Sequence, residues 1–97
     1  MGLYLSIQDG RKTVAASATA ERVAASTPCN YVEMTAETDN TGIIVVGGST
    51  VVAALATRQG IPLSAGESMG FLIKDLQEVW LDTTINGDGV TYIYLAR

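Results

Sequence analysis

Apolar and polar residues alternate in short runs along this chain, and glycine, asparagine, aspartate and proline separate the runs. Leu3, Leu5 and Ile7 alternate with Tyr4, Ser6 and Gln8. A period of two marks a half-buried strand, because successive side chains point to opposite faces. Asp9-Gly10 follows, a pair that suits the positive φ of a type I′ turn, so residues 12–18 are expected to be the return strand of a hairpin. Residues 29–37 predict a strand with Val32, Met34 and Ala36 on one face and Tyr31, Glu33 and Thr35 on the other. The continuous apolar run 43–46 suits a strand buried on both faces. Residues 69–73 predict another strand, with Phe71 and Ile73 on one face, and residues 76–82 one more, with Val79 and Leu81 opposite Trp80. The last strand is expected over 90–95, where Val90, Tyr92 and Tyr94 share a face. Asn86-Gly87-Asp88-Gly89 before it predicts a second hairpin turn.

Other segments are less regular. Residues 14–25 are rich in Ala, Thr and Ser and predict a strand or extended arm, with a helix over 15–25 as the alternative. Thr27-Pro28 is a break, since proline lacks the N–H that a central ladder needs. Residues 51–56 fit either a strand or a turn of helix, and Ser64-Ala65-Gly66-Glu67 reads as a tight turn. About seven or eight short strands with frequent turns are the pattern of an all-β sandwich or small barrel. The expected fold is an all-β, small antiparallel β-sandwich or barrel-like domain with an N-terminal hairpin or extended arm. Its bounds are 1–27 for the hairpin or arm and 28–97 for the compact β domain, in one structural unit.

Composition narrows the function. A chain of 97 residues fits one domain. Ten acidic residues outweigh six basic ones, and no Lys/Arg cluster exists, which argues against a nucleic-acid partner. Histidine is absent, which removes imidazole catalysis and the commonest metal ligand. Cys29 is the single cysteine and is expected to pack in the core. No apolar run approaches the roughly 20 residues of a membrane span, so no membrane partner is expected. The N-terminus lacks the basic and long apolar regions of a signal peptide. Met1-Gly2-Leu3-Tyr4-Leu5-Ser6 fits a myristoylation pattern, but a plain N-terminal strand accounts for the same residues.

Candidate chemistry is sparse. Nearly all the acids lie in expected turns or on polar strand faces and read as solvated surface. Asn86-Gly87-Asp88-Gly89 lacks the ligand spacing of a calcium loop. Gly47-Gly48-Ser49-Thr50 lacks the lysine of a phosphate-cradling loop. No catalytic residue, cofactor or metal is expected, and the chain reads as a non-enzyme. Aromatic residues near the C-terminus suit core or subunit-interface packing. A small open β domain also leaves strand edges that can pair with another chain. The candidate interface residues are therefore Leu3, Tyr4, Leu5, Ile7 and Val14 of the N-terminal segment, with Trp80, Tyr92 and Tyr94.

One ordered set of residues suggests a family. It runs Pro28-Cys29, Val32, Ala36, Asn40-Thr41-Gly42-Ile43, Val46-Gly47-Gly48-Ser49, Gly60-Ile61-Pro62-Leu63 and Ala65-Gly66-Glu67-Ser68. It closes with Leu76, Val79-Trp80-Leu81-Asp82 and Asn86-Gly87-Asp88-Gly89-Val90-Thr91-Tyr92. In order and spacing this set resembles small phage virion structural proteins, head- or tail-associated. The resemblance implies a β-sandwich-like subunit of the particle with no enzymatic role. Taken with the open strand edges, the expected role is a capsid decoration or cement subunit that docks on the major capsid protein or other virion proteins, as a homo-oligomer. A neck, tail or fibre component is the alternative. The implied location is the virion, assembled in the bacterial host cytoplasm. Residues 1–27 fall outside the resemblance and could dock on neighbours as an arm.

Overall fold

The computed structural model of the protein describes residues 5–97. Eight strands form: β1 Ser6–Thr13, β2 Glu21–Arg22, β3 Cys29–Ala36, β4 Ile44–Gly47, β5 Ile61–Leu63, β6 Ser68–Leu72, β7 Trp80–Thr83 and β8 Gly89–Ala96. Two short 3-10 helices, Leu55–Thr57 and Leu76–Glu78, complete the structure. The strands make two four-stranded sheets, ordered β1-β8-β3-β6 and β2-β7-β4-β5, with every pairing antiparallel. This is the all-β sandwich that the alternating pattern predicts.

The core lies between the sheets. Val32, Met34 and Ala36 of β3 are buried there with Val90 of β8, and Met69, Phe71, Tyr92 and Tyr94 pack partly buried against them. The second sheet answers with Ile44, Val46, Leu63 and Leu81. Alternation then puts Val45 on the outer face of that sheet, where Val51 and Ala53 cover it in a second cluster with Ala20, Ile43 and Trp80. The segment 48–60 thus roofs the outer face of the second sheet. Strand β4 is buried on both faces for this reason, as its unbroken apolar run predicts.

Turn destinations differ from expectation. Asp9-Gly10 is not a turn: both residues lie inside β1, which pairs along its full length with the C-terminal β8. A Cβ on Gly10 would overlap the ring of Tyr92, its cross-strand partner, so the glycine makes room for an aromatic cover. Asn86-Gly87-Asp88-Gly89 does turn, with Gly87 at φ +88°, but it links β7 in one sheet to β8 in the other. It is a crossover, not a hairpin. Among the described residues only β4 and β5 are consecutive strands paired with each other.

Residues 14–27 form bends, turns and the short β2, and no helix. Val14 and Val23 are buried in the main core, and β2 pairs with β7. Glu21 holds the segment: its carboxylate accepts from Lys12 Nζ at 2.8 Å and from the Ala15 N–H at 2.9 Å. Those two bonds keep the Glu21 carboxyl below the usual carboxylate range, the Lys12 contact being the larger cause.

Candidate docking surface

The outer face of the first sheet carries no such roof among the described residues. Register places its side chains in rows that cross all four strands. Ile7 pairs with Leu95, Leu95 with Tyr31, and Tyr31 with Leu72. All four are outward, because their neighbours Tyr94, Val32 and Phe71 face the core. Ile7 is 70% exposed and Leu72 83%, while Leu95 and Tyr31 between them are half-buried. The next row is Asp9, Ile93, Glu33 and Gly70, and the one beyond is Arg11, Thr91, Thr35 and Ser68. One end of the face is apolar and the other is polar.

Local contacts fix these rows. The Tyr31 hydroxyl donates to Glu33 Oε1 at 3.0 Å, and this bond is the main reason its phenol is held above the usual range. Its ring end crosses Gly70, where a Cβ would overlap it. Tyrosines from interior strands thus cover a glycine in each edge strand, Tyr92 over Gly10 and Tyr31 over Gly70. Thr35 and Ser68 hydroxyls share a 2.6 Å hydrogen bond. Arg11 makes a bidentate ion pair with Glu37, which raises the Arg11 pKa further. An open depression of about 670 Å³ lies among Asp9, Arg11, Glu33, Thr35, Thr91 and Ile93.

The sequence-derived interface residues are dispersed. Leu3 and Tyr4 lie outside the described residues. Leu5 and Ile7 are exposed, Ile7 in the apolar row. Val14 is fully buried in the core and presents no surface, a correction that follows from the fold of the chain just after β1. Trp80 sits on the outer face of the second sheet, with the Arg22 guanidinium 5.0 Å from its ring centre. Tyr92 and Tyr94 lie on the inner face of the first sheet, their rings 6.1 Å apart. Burial pushes the Tyr92 phenol up, with Tyr94 adding to the shift. Trp80 and these tyrosines therefore form no shared patch. Leu72, Leu95 and Tyr31 were missed; their signal was register across strands, which a single run of sequence does not carry.

Not every acid is solvated. Asp82 is buried on the outer face of the second sheet, where it accepts from the N–H groups of Ala53 at 2.8 Å and Thr83 at 2.9 Å. Asp88 is buried in the crossover and accepts from Gly42 N–H at 2.8 Å and Thr41 N–H at 3.2 Å. Both carboxylates satisfy loop amides, which is a structural task. Among the described residues no group of three or more His, Cys, Asp or Glu side chains is placed to hold a metal ion. No helix among them is long and apolar enough to cross a membrane.

No family model matches the chain, and no curated protein matches it significantly. Two solved structures share its fold. The IMPa metallopeptidase from Pseudomonas aeruginosa superposes with a TM-score of 0.57 at 15% identity, covering 99% of this chain and 13% of that one. A chain of the Bacillus endospore appendages, described as a family of disulfide-linked pili, superposes with a TM-score of 0.51 at 16% identity, covering 97% of this chain and 90% of that one. At these identities the likeness is one of fold alone.

Proposed function

We propose that this protein is a non-catalytic structural subunit that decorates or cements a phage capsid by protein–protein docking. The observation that carries this reading is the exposed apolar row Ile7, Leu95, Tyr31 and Leu72 across an unroofed sheet face. Apolar side chains of this kind gain about 25 cal/mol for each Å² removed from water. The partner would be the major capsid protein or another virion protein, and the location the virion. The ordered motifs over residues 28–92 support that choice. The metallopeptidase likeness does not argue for catalysis, because this chain matches only 13% of that protein.

A neck, tail or fibre component is the second reading. The appendage chain favours it, since one β-sandwich of matching extent there belongs to a pilus. Its disulfide linkage does not carry over in this fold, because the lone Cys29 is fully buried.

The test is to add purified protein to particles that lack it and to measure co-sedimentation. Wild type is expected to saturate at a simple ratio to the capsid protein. Leu72→Asp and Ile93→Asp change only exposed positions and are expected to weaken binding about tenfold or more, while circular dichroism stays unchanged. No binding by wild type, or full binding by both variants, would overturn the reading.

A further inference from the structure

Strand β1 is an open edge with an unusual property. Its inner side pairs with β8 without any register shift, from Ser6 opposite Ala96 to Thr13 opposite Gly89. Among the described residues its other side meets no strand. Native edges are usually kept short, carry charged side chains, or are interrupted by proline or a bulge, and of these devices β1 has only the charges Asp9, Arg11 and Lys12. The second sheet obeys that rule: β2 has two residues, and β5 has three with Pro62 among them. Strand β1 has eight residues, no proline and no bulge.

Its charges are arranged for self-pairing. Ile7, Asp9, Arg11 and Thr13 share the outer face, and Gly10 lies at the centre between Asp9 and Arg11. Laying a second copy antiparallel about a two-fold axis at Gly10 puts Asp9 opposite Arg11 of the second copy, twice. The same register sets Ile7 opposite Thr13 and Gln8 opposite Lys12. A shift of two residues either way puts Asp9 on Asp9 or Arg11 on Arg11, and like charges directly opposite are destabilising. The strand therefore selects one register. Asp9 is exposed and has no ion-pair partner among the described residues, and Arg11 keeps 64% side-chain exposure while bound to Glu37. The opposite edge, β6, holds no charged residue, so addition of β1 to β6 would match no charge.

We propose that two copies of this chain pair through β1, antiparallel and centred on Gly10, joining their first sheets edge to edge. Such an isologous contact leaves the outer faces of both sheets on the same side. Because Ile7 of each copy then faces Thr13 of the other, the two apolar rows lie at opposite ends of the joined sheet, on one side of it. The proposal concerns the isolated protein and does not rest on a particle location.

Sedimentation velocity on the full chain tests it, with hydrogen exchange as a second measurement. Wild type is expected to be a dimer whose amides over residues 7–13 gain protection as protein concentration rises. Asp9→Arg places arginine opposite Arg11 at both ends of the contact and is expected to weaken dimerisation about tenfold or more. Adding Arg11→Asp to Asp9→Arg restores the opposite charges and is expected to recover most of the loss. A monomeric wild type would overturn the proposal. So would a dimer indifferent to Asp9→Arg, which would place the contact on β6 or the sheet face, or protection that never reaches residues 7–13. These results are independent of particle binding, so either idea can fail alone.

Discussion

The side chain of Asn40 acts as a strand partner for Gly89. Its Nδ2 donates to the Gly89 carbonyl at 2.9 Å, and its Oδ1 accepts from the Gly89 N–H at 3.0 Å. The same carbonyl also accepts from the Glu37 N–H at 3.0 Å. Gly89 opens β8, the strand on which β1 and β3 are both built. Asn40→Ala would leave a buried backbone N–H without a partner, at a cost of about 1–3 kcal/mol. Thermal unfolding should show a fall of about 4–8 °C for each kcal/mol. Asn40→Asp should do no better, since it turns a second oxygen toward the Gly89 carbonyl.

Gly89 should tolerate no side chain at all. A Cβ there would overlap the Lys12 carbonyl and lie 2.8 Å from Thr13 Cα, both backbone atoms of β1. At Gly10 the obstruction is the end of the Tyr92 ring, which can swing away. Urea unfolding should therefore rank Gly89→Ala well below Gly10→Ala, with the former costing about 2–3 kcal/mol. Equal effects would mean that β1 is not held tightly against β8.

Strand faces were readable in the sequence where alternation was strict. Val32, Met34 and Ala36 of β3, and Leu81 opposite Trp80 in β7, sit as the period of two predicts. Turn chemistry was readable as well, but not the sheet to which each turn leads. Asn86-Gly87-Asp88-Gly89 carries hairpin residues yet crosses between sheets. Asp9-Gly10 carries them inside a strand, because the glycine makes room for Tyr92, a cross-strand partner at the far end of the chain that leaves no local signal. The buried roles of Asp82 and Asp88 depend on loop amides distant in sequence, and the apolar row depends on register, so neither was legible locally.

Acid should weaken the fold through Asp75 and Glu21. Asp75 caps Leu76–Glu78 by accepting from Gln77 N–H at 3.0 Å, and it also accepts from Thr27 N–H at 2.7 Å and Ser26 Oγ at 2.9 Å. Those bonds, Gln77 first, hold its carboxyl below the usual range. A carboxylate with a folded-state pKa below its unfolded value contributes stability that is present above the unfolded pKa. That contribution is lost as pH falls through the folded one. Melting temperature should therefore hold steady above about pH 5 and drop below about pH 4. Asp75→Asn should lower it at neutral pH and flatten the acid limb. A melting temperature that rises on acidification would contradict the assignment.

Cys29 should be inert in the folded protein. Its thiol is fully buried, donates to the Ile73 carbonyl at 3.4 Å, and is pushed up in pKa first by burial and then by the Asp75 charge. Only the thiolate reacts readily. A thiol reagent at pH 8 should modify the chain at the rate of unfolding, accelerating with urea. Modification at the rate of a free thiol without urea would show that the core opens locally.

The central claim is that this chain is a structural component of a particle. Quantitative mass spectrometry of purified particles of a phage that encodes the chain tests it most directly. Copies in simple ratio to the major capsid protein are the result expected of a decoration or cement subunit. A small count, on the order of 5 to 30 and set by ring or fibre symmetry, would move it to a neck, tail or fibre. Absence from the particle would contradict the account.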